Sequence, residues 1–187
     1  ESDDFVMVHN GIMNSFLGKK GSDTYGFFND FNKLFTNLSQ TVKREPAIVK
    51  TITELLNDTP GSYSIVLFDK KTKAMYYFKD SGTNINFYRF ENNLYITTSN
   101  DNKLFLKMVT KNKLREINIK DYNIYKILIK NEKVVIFEIG KIKEPVYVPS
   151  TVGSYWSNGW SSSNYNVISK DLPESKSKPK FPKFKGR

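Results

Sequence analysis

The feature that most constrains this chain is a change of hydrophobic period at Gly61. Before it, Phe27, Phe28, Phe31, Leu34, Phe35 and Leu38 recur at helical spacing, with Asn29, Asp30, Asn32 and Lys33 opposite. This pattern predicts an amphipathic helix, which either Ser22 or Asp23 could cap. A second helix is predicted with Pro46 in its first turn and Ile48, Ile52, Leu55 and Leu56 on its apolar face, ended by Asn57-Asp58-Thr59-Pro60-Gly61. After Gly61 the period is two. Strands are predicted over 62–68, 74–79, 86–90, 94–98, 115–119, 122–129 and 133–140, with a short helix over 101–109. The last two strands, joined by Lys130-Asn131-Glu132, read as a hairpin. Two helices followed by antiparallel strands define an α+β domain.

The strand over 62–68 carries Ile65 and Leu67 on one face and Val66 and Phe68 on the other. A sheet with one face in water would alternate more cleanly, so cover on both sides is expected. The two helices cover little area, and further layers are expected beyond them.

At the front of the chain, Phe5-Val6-Met7-Val8 reads as a short buried strand, followed by His9-Asn10-Gly11. Asn-Gly alone reads as an ordinary turn. The same residues would place a side-chain amide and a backbone N–H at the strand mouth, the two donors from which an oxyanion hole can be built.

Composition excludes several chemistries. With no cysteine, this chain supplies neither a disulfide, a thiolate metal site nor a cysteine nucleophile. A single histidine, His9, leaves little for Ser-His-Asp or zinc-hydrolase schemes, and no local carboxylate cluster suggests a metal. No cofactor is expected. No apolar run approaches the roughly 20 residues that span a bilayer, and no secretory signal is present in this sequence. The chain is therefore expected in the cytoplasm or in a large particle assembled inside the cell, without a membrane partner. It begins with Glu1 rather than Met, which implies either removal of a leading segment or a start partway through a gene product.

The net charge of +10 is uneven: residues 170–187 hold seven basic and two acidic side chains, half of the total. This Lys/Pro/Ser stretch is not expected to form a core. It is read either as a solvating arm or as a contact for a polyanion. Before it, Val146-Tyr147-Val148-Pro149 reads as an edge segment. Tyr155, Trp156, Trp160 and Tyr165 are spaced through Ser, Asn and Gly residues, which points to docking on this domain's own surface or on another chain. Expected boundaries are 1–143 for the domain and 144–187 for the linker and tail.

Several motifs together carry a resemblance. His9-Asn10-Gly11-Ile12-x-Asn14 is followed by Ser22-Asp23-Thr24 opening a helix, then by Gly61-Ser62-Tyr63-Ser64 leading a strand. Lys79-Asp80-Ser81-Gly82 and Thr97-Thr98-Ser99-Asn100-Asp101 follow in order. Over most of the chain this sequence resembles the class II glutamine amidotransferase domain of the N-terminal-nucleophile hydrolases. The resemblance implies an αββα sandwich of antiparallel sheets between helical layers. It also implies glutamine as substrate, attacked by an N-terminal cysteine whose own amino group is the base. Asn10 and Gly11 would form the oxyanion hole, and losing one such donor costs on the order of 3–4 kcal/mol. Asp23 would receive the substrate's α-ammonium. His9 would be structural.

Departures are equally definite. This sequence lacks the family's N-terminal cysteine, the strands that carry it and the upstream arginine that binds the substrate carboxylate. The loop between Gly11 and Asp23 is short, Tyr25 stands where Glu is common, and Asn86-Phe87 where Pro-Leu is common. The domain would thus be incomplete at its N-terminus. A Cys-bearing segment or another protein chain is expected to complete the sheet. The alternative is an inactive, amidotransferase-derived structural or binding module.

Overall fold

The computed structural model describes residues 1–18, 21–83, 85–111 and 113–146. The expectations for the aromatic linker and the basic tail lie outside the described residues.

Strand β1 (Phe5–Met13) leads through a 3-10 turn (Asn14–Phe16) to α1 (Asp23–Leu38) and α2 (Arg44–Leu56). Strands β2 (Gly61–Asp69), β3 (Ala74–Lys79), β4 (Asn86–Phe90) and β5 (Asn93–Thr97) follow. The described chain continues with α3 (Asn100–Val109), β6 (Arg115–Ile117), β7 (Asn123–Lys130) and β8 (Lys133–Lys141). The strands form a five-stranded sheet in the order β1-β2-β3-β7-β8 and a three-stranded sheet in the order β5-β4-β6. All pairings are antiparallel. The molecule is thus α+β with antiparallel sheets and three helices among the described residues. No helix there is long and apolar enough to cross a membrane.

The two-period pattern places the core on both faces of the large sheet. On one face Phe27, Phe31 and Phe35 of α1 and Ile48, Ile52 and Leu56 of α2 pack on Phe5, Tyr63, Ile65, Leu67, Tyr76 and Phe78. The aromatics meet edge-on, with Phe5 4.8 Å from Phe35 and 5.2 Å from Phe31, the arrangement ring quadrupoles favour. On the other face Tyr77, Tyr125 and Ile127 form a second cluster with Phe87 of β4, against which Val66, Leu94 and Ile117 pack. The expected cover on both faces is observed: helices on one side, the small sheet on the other.

Helix α1 starts where one of the two candidate caps predicts. Ser22 has extended backbone angles and its hydroxyl accepts the Tyr25 N–H at 3.2 Å, so Ser22 is the cap and Asp23 the first helical residue. Pro46 lies in the first turn of α2. At the β7–β8 hairpin both Asn131 and Glu132 have positive φ, the two-residue connection that matches strand twist.

One expectation fails. His9-Asn10-Gly11 is not a turn: β1 runs straight through it, paired with β2 from Phe5↔Asp69 to Met13↔Gly61. The ladder overrides the local turn preference because continuous pairing satisfies backbone groups that a turn would leave to water.

Candidate active site

β1 is an edge strand of the large sheet among the described residues. In an antiparallel ladder, alternate residues point their backbone N–H groups away from the partner. Outside partners taken by two β1 amides fix the phase: Phe5 N–H donates to Ser2 Oγ at 3.2 Å, and Met13 N–H to Asp23 Oδ2 at 2.8 Å. The register has no slip between them, so Gly11 N–H faces the same open edge. Gly11 has φ +117°, and a Cβ placed there would lie 1.8 Å from the Ser62 carbonyl oxygen. The backbones of β1 and β2 approach so closely that only glycine fits.

Asn10 is exposed and, by alternation, lies on the sheet face away from α1, the face it shares with Val8 and Ile12. Those two apolar residues are 66% and 53% exposed, so among the described residues this end of the sheet is bare on that face. His9 is on the opposite face, its Nδ1 2.8 Å from Thr24 Oγ1. Its Nε2 is buried with no partner among the described residues, so the expected structural role is only half satisfied. Burial pushes the His9 pKa down, partly opposed by the Asp23 carboxylate.

Asp23 joins helix and strand. Besides Met13 N–H, its carboxylate accepts Thr24 N–H at 2.7 Å and the Thr24 hydroxyl at 3.4 Å. Burial acts to raise its pKa, but these N–H donors, His9 and the hydroxyl outweigh it and hold Asp23 below the ordinary value. A depressed folded pKa stabilises the fold above the unfolded value of about 4, and this contribution is lost as pH falls through the folded pKa. Replacing Asp23 by Ala is expected to destabilise the chain by about 1–3 kcal/mol. Hydrogen exchange at the Met13 amide should accelerate accordingly; unchanged protection there would refute the bond's role.

The structure therefore brings Gly11 and Asp23 to one edge. Gly11 N–H lies two residues, roughly 7 Å, from the amide that Asp23 holds. Asn10 is beside them, with its side chain on the sheet face rather than along the edge.

A second element borders Gly11 that the sequence did not single out as functional. Asp80 Oδ1 accepts Tyr63 N–H at 3.0 Å, Thr83 N–H at 3.2 Å and Thr83 Oγ1 at 2.9 Å. This folds the 79–83 turn over the start of β2. Burial raises the Asp80 pKa despite those donors. Lys79 pairs with Asp121 and donates to the Asp80 and Thr83 carbonyls, closing the turn. Ser62, the residue whose carbonyl excludes a Cβ at Gly11, is thereby set 3.5 Å from Thr83 Oγ1. The Lys-Asp-Ser-Gly motif was visible in the sequence, but its position beside Gly11 depends on the β1–β2 register.

Chemically, an outward backbone N–H beside an exposed amide can stabilise developing negative charge on a carbonyl oxygen, and an ionised carboxylate can hold an ammonium. No family model matches the sequence, and no curated protein matches it. Among solved structures, the chain is similar to the glutamine phosphoribosylpyrophosphate amidotransferase of B. subtilis complexed with ADP and GMP, with a TM-score of 0.46 and 10% identity over 74% of this chain and 30% of that one. A structure described as the allosteric regulatory enzyme of purine biosynthesis is similar at a TM-score of 0.45 and 13% identity, over 72% of this chain and 28% of that one. The chain spans less than a third of the length of either protein. The phosphatase domain of SpoIIE from Bacillus subtilis is similar at a TM-score of 0.26 and 15% identity, over 68% of this chain and 53% of that one.

Proposed function

We propose that residues 1–143 are the larger part of a class II glutamine amidotransferase-like domain of αββα type. In this reading the chain supplies the oxyanion hole and the substrate anchor for hydrolysis of the glutamine side-chain amide. The observation that carries it is the shared edge of β1. Gly11 N–H is open there, and the Asp23 carboxylate lies a distance along it comparable to the length of an extended glutamine. Asn10 and Gly11 would hold the amide oxygen as it becomes an oxyanion, and Asp23 would receive the α-ammonium. Since this sequence contains no cysteine, the attacking thiol comes from a segment or chain outside it. Such a segment would add along the Met7–His9 part of the β1 edge and over the bare face at Val8, leaving Gly11 N–H to the substrate. Thiol attack then releases ammonia, and water cleaves the resulting thioester.

The test is titration of L-glutamine into the full chain, followed at the Gly11 and Met13 amides by NMR. Saturable shifts at both are expected, weakened about 10-fold, or about 1.4 kcal/mol, by Asp23→Asn. Glutamine that leaves both amides unmoved would overturn the reading.

A second reading, an inactive amidotransferase-derived binding module, is favoured by one observation. Both Asp23 carboxylate oxygens already accept backbone N–H groups, which weakens their pull on an ammonium. A glutamine-mimicking alkylator applied to the complete assembly separates the two. Covalent labelling requires the enzyme; no label, where a known glutaminase reacts, requires the module.

A further inference from the structure

We propose that the rim between the two sheets carries a binding site for a phosphorylated small molecule, built by Arg89, Arg115 and Lys133. The β4–β6 register sets Arg89 directly opposite Arg115. Like charges in that position repel, and a sheet keeps such a pair at a cost unless something anionic lies between or beside them. Alternation puts both arginines on the side of Phe87 and Ile117, the side that packs toward the large sheet. Arg89 Nη2 donates to the Val134 carbonyl at 2.8 Å, which aims its guanidinium across to β8, where Lys133 precedes that carbonyl.

The three cations border a hollow of about 560 Å³ whose remaining wall is apolar, formed by Ile117, Val134 and Ile136. Glu116 also borders it, but its carboxylate takes Lys103 Nζ at 3.2 Å, and in the ladder it lies opposite Tyr88 rather than Arg89. Among the described residues neither Arg115 nor Lys133 has an acidic partner. Two arginines on one face of the small sheet, with Lys133 at the near end of β8, give the hollow a positive excess that suits a phosphoryl dianion, which arginine forks bind bidentately. The apolar wall suits the uncharged part of the same molecule. A nucleic acid would instead need a basic track continuing past the hollow, since its affinity comes from many phosphates in succession.

Inorganic pyrophosphate titrated into the full chain is the test, read at the Arg115, Ile117 and Val134 amides by NMR. Saturable shifts are expected there. Arg115→Gln with Lys133→Gln should weaken them about tenfold, and Lys133→Gln alone about threefold, with spectral dispersion unchanged. Arg89 is left intact because its bond to Val134 also holds the sheets together. Absence of saturable shifts at these amides overturns the proposal. So do shifts that the variants leave untouched, because the anion then binds elsewhere, for example at the lysines of 170–187. A single-stranded oligonucleotide displacing pyrophosphate from these amides at lower phosphate concentration also overturns it, in favour of nucleic acid. None of these residues touches the β1 edge, so failure here and failure of the glutamine reading are separate results.

Discussion

Gly11→Ala is expected to destabilise the chain by about 3 kcal/mol or more, lowering its thermal midpoint by roughly 10 °C. Two terms add. The residue sits at φ +117°, where an L side chain is strained, and the new methyl group would meet the Ser62 carbonyl at 1.8 Å. The obstructing atoms are backbone in a paired strand, so relief requires β1 to separate from β2 rather than a rotamer to change. Gly18 is the internal control. It too has positive φ, at +79°, but nothing lies within 4 Å of its Cβ position. Gly18→Ala should carry the strain term alone, about 1 kcal/mol. Calorimetry on both variants decides the matter: equal shifts would mean that the close approach at Gly11 is not a determinant of stability.

Breaking the Arg44–Asp69 pair is expected to have the next largest effect. Asp69 is fully buried at the end of β2 and accepts Arg44 Nε at 2.8 Å and Nη2 at 2.7 Å, with Lys71 N–H and the Thr72 hydroxyl as further donors. Arg44 in turn lies over the rings of Phe5 and Phe35, 5.0 and 5.1 Å from their centroids. The pair thus joins the start of α2, the end of β2 and the Phe5 core. Arg44→Met keeps much of the packing but leaves a buried carboxylate with only the Lys71 and Thr72 donors, a change that costs about 3 kcal/mol, the low end for such sites.

The pH dependence tests the same pair with a definite sign. Burial acts to raise the Asp69 pKa, but hydrogen bonds from Arg44, Thr72 and Lys71 together with the Arg44 charge hold it below the ordinary value. The pair's stabilisation is therefore present above the unfolded pKa of about 4 and is lost as pH falls through the lower folded pKa. Without the Arg44 hydrogen bonds and charge, two of the causes that lower the Asp69 pKa are gone and the folded pKa rises, so acid unfolding should begin at higher pH in Arg44→Met. Urea titrations at neutral pH and across the acid range measure both effects. A variant with wild-type stability and an unshifted acid transition would show that the pair contributes nothing net.

How far the sequence revealed this differs from element to element. The faces of α1 and α2 were legible because Phe27, Phe31, Phe35, Ile48 and Ile52 keep helical spacing and each points to the same core. The double-sided sheet was legible because Ile65 and Val66 are both apolar on adjacent, opposite faces, and both clusters exist. Asn10, Gly11 and Asp23 were legible as residue types in a pattern. What escaped was the path of β1: an Asn-Gly pair reads locally as a turn, and only pairing with β2 keeps it extended.

The sequence by itself determined the order of helices and strands, the apolar faces and the absence of a cysteine nucleophile from this chain, since period and composition are local properties. Tertiary structure alone decided three other things. It set Gly11 N–H on an open edge, gave the Asp23 carboxylate to Met13 while Ser22 capped α1, and brought Arg89, Arg115 and Lys133 around one hollow. The first and the last depend on strand register between segments far apart in the chain. A shift of one residue there would turn every side chain to the other face and every N–H to the other edge.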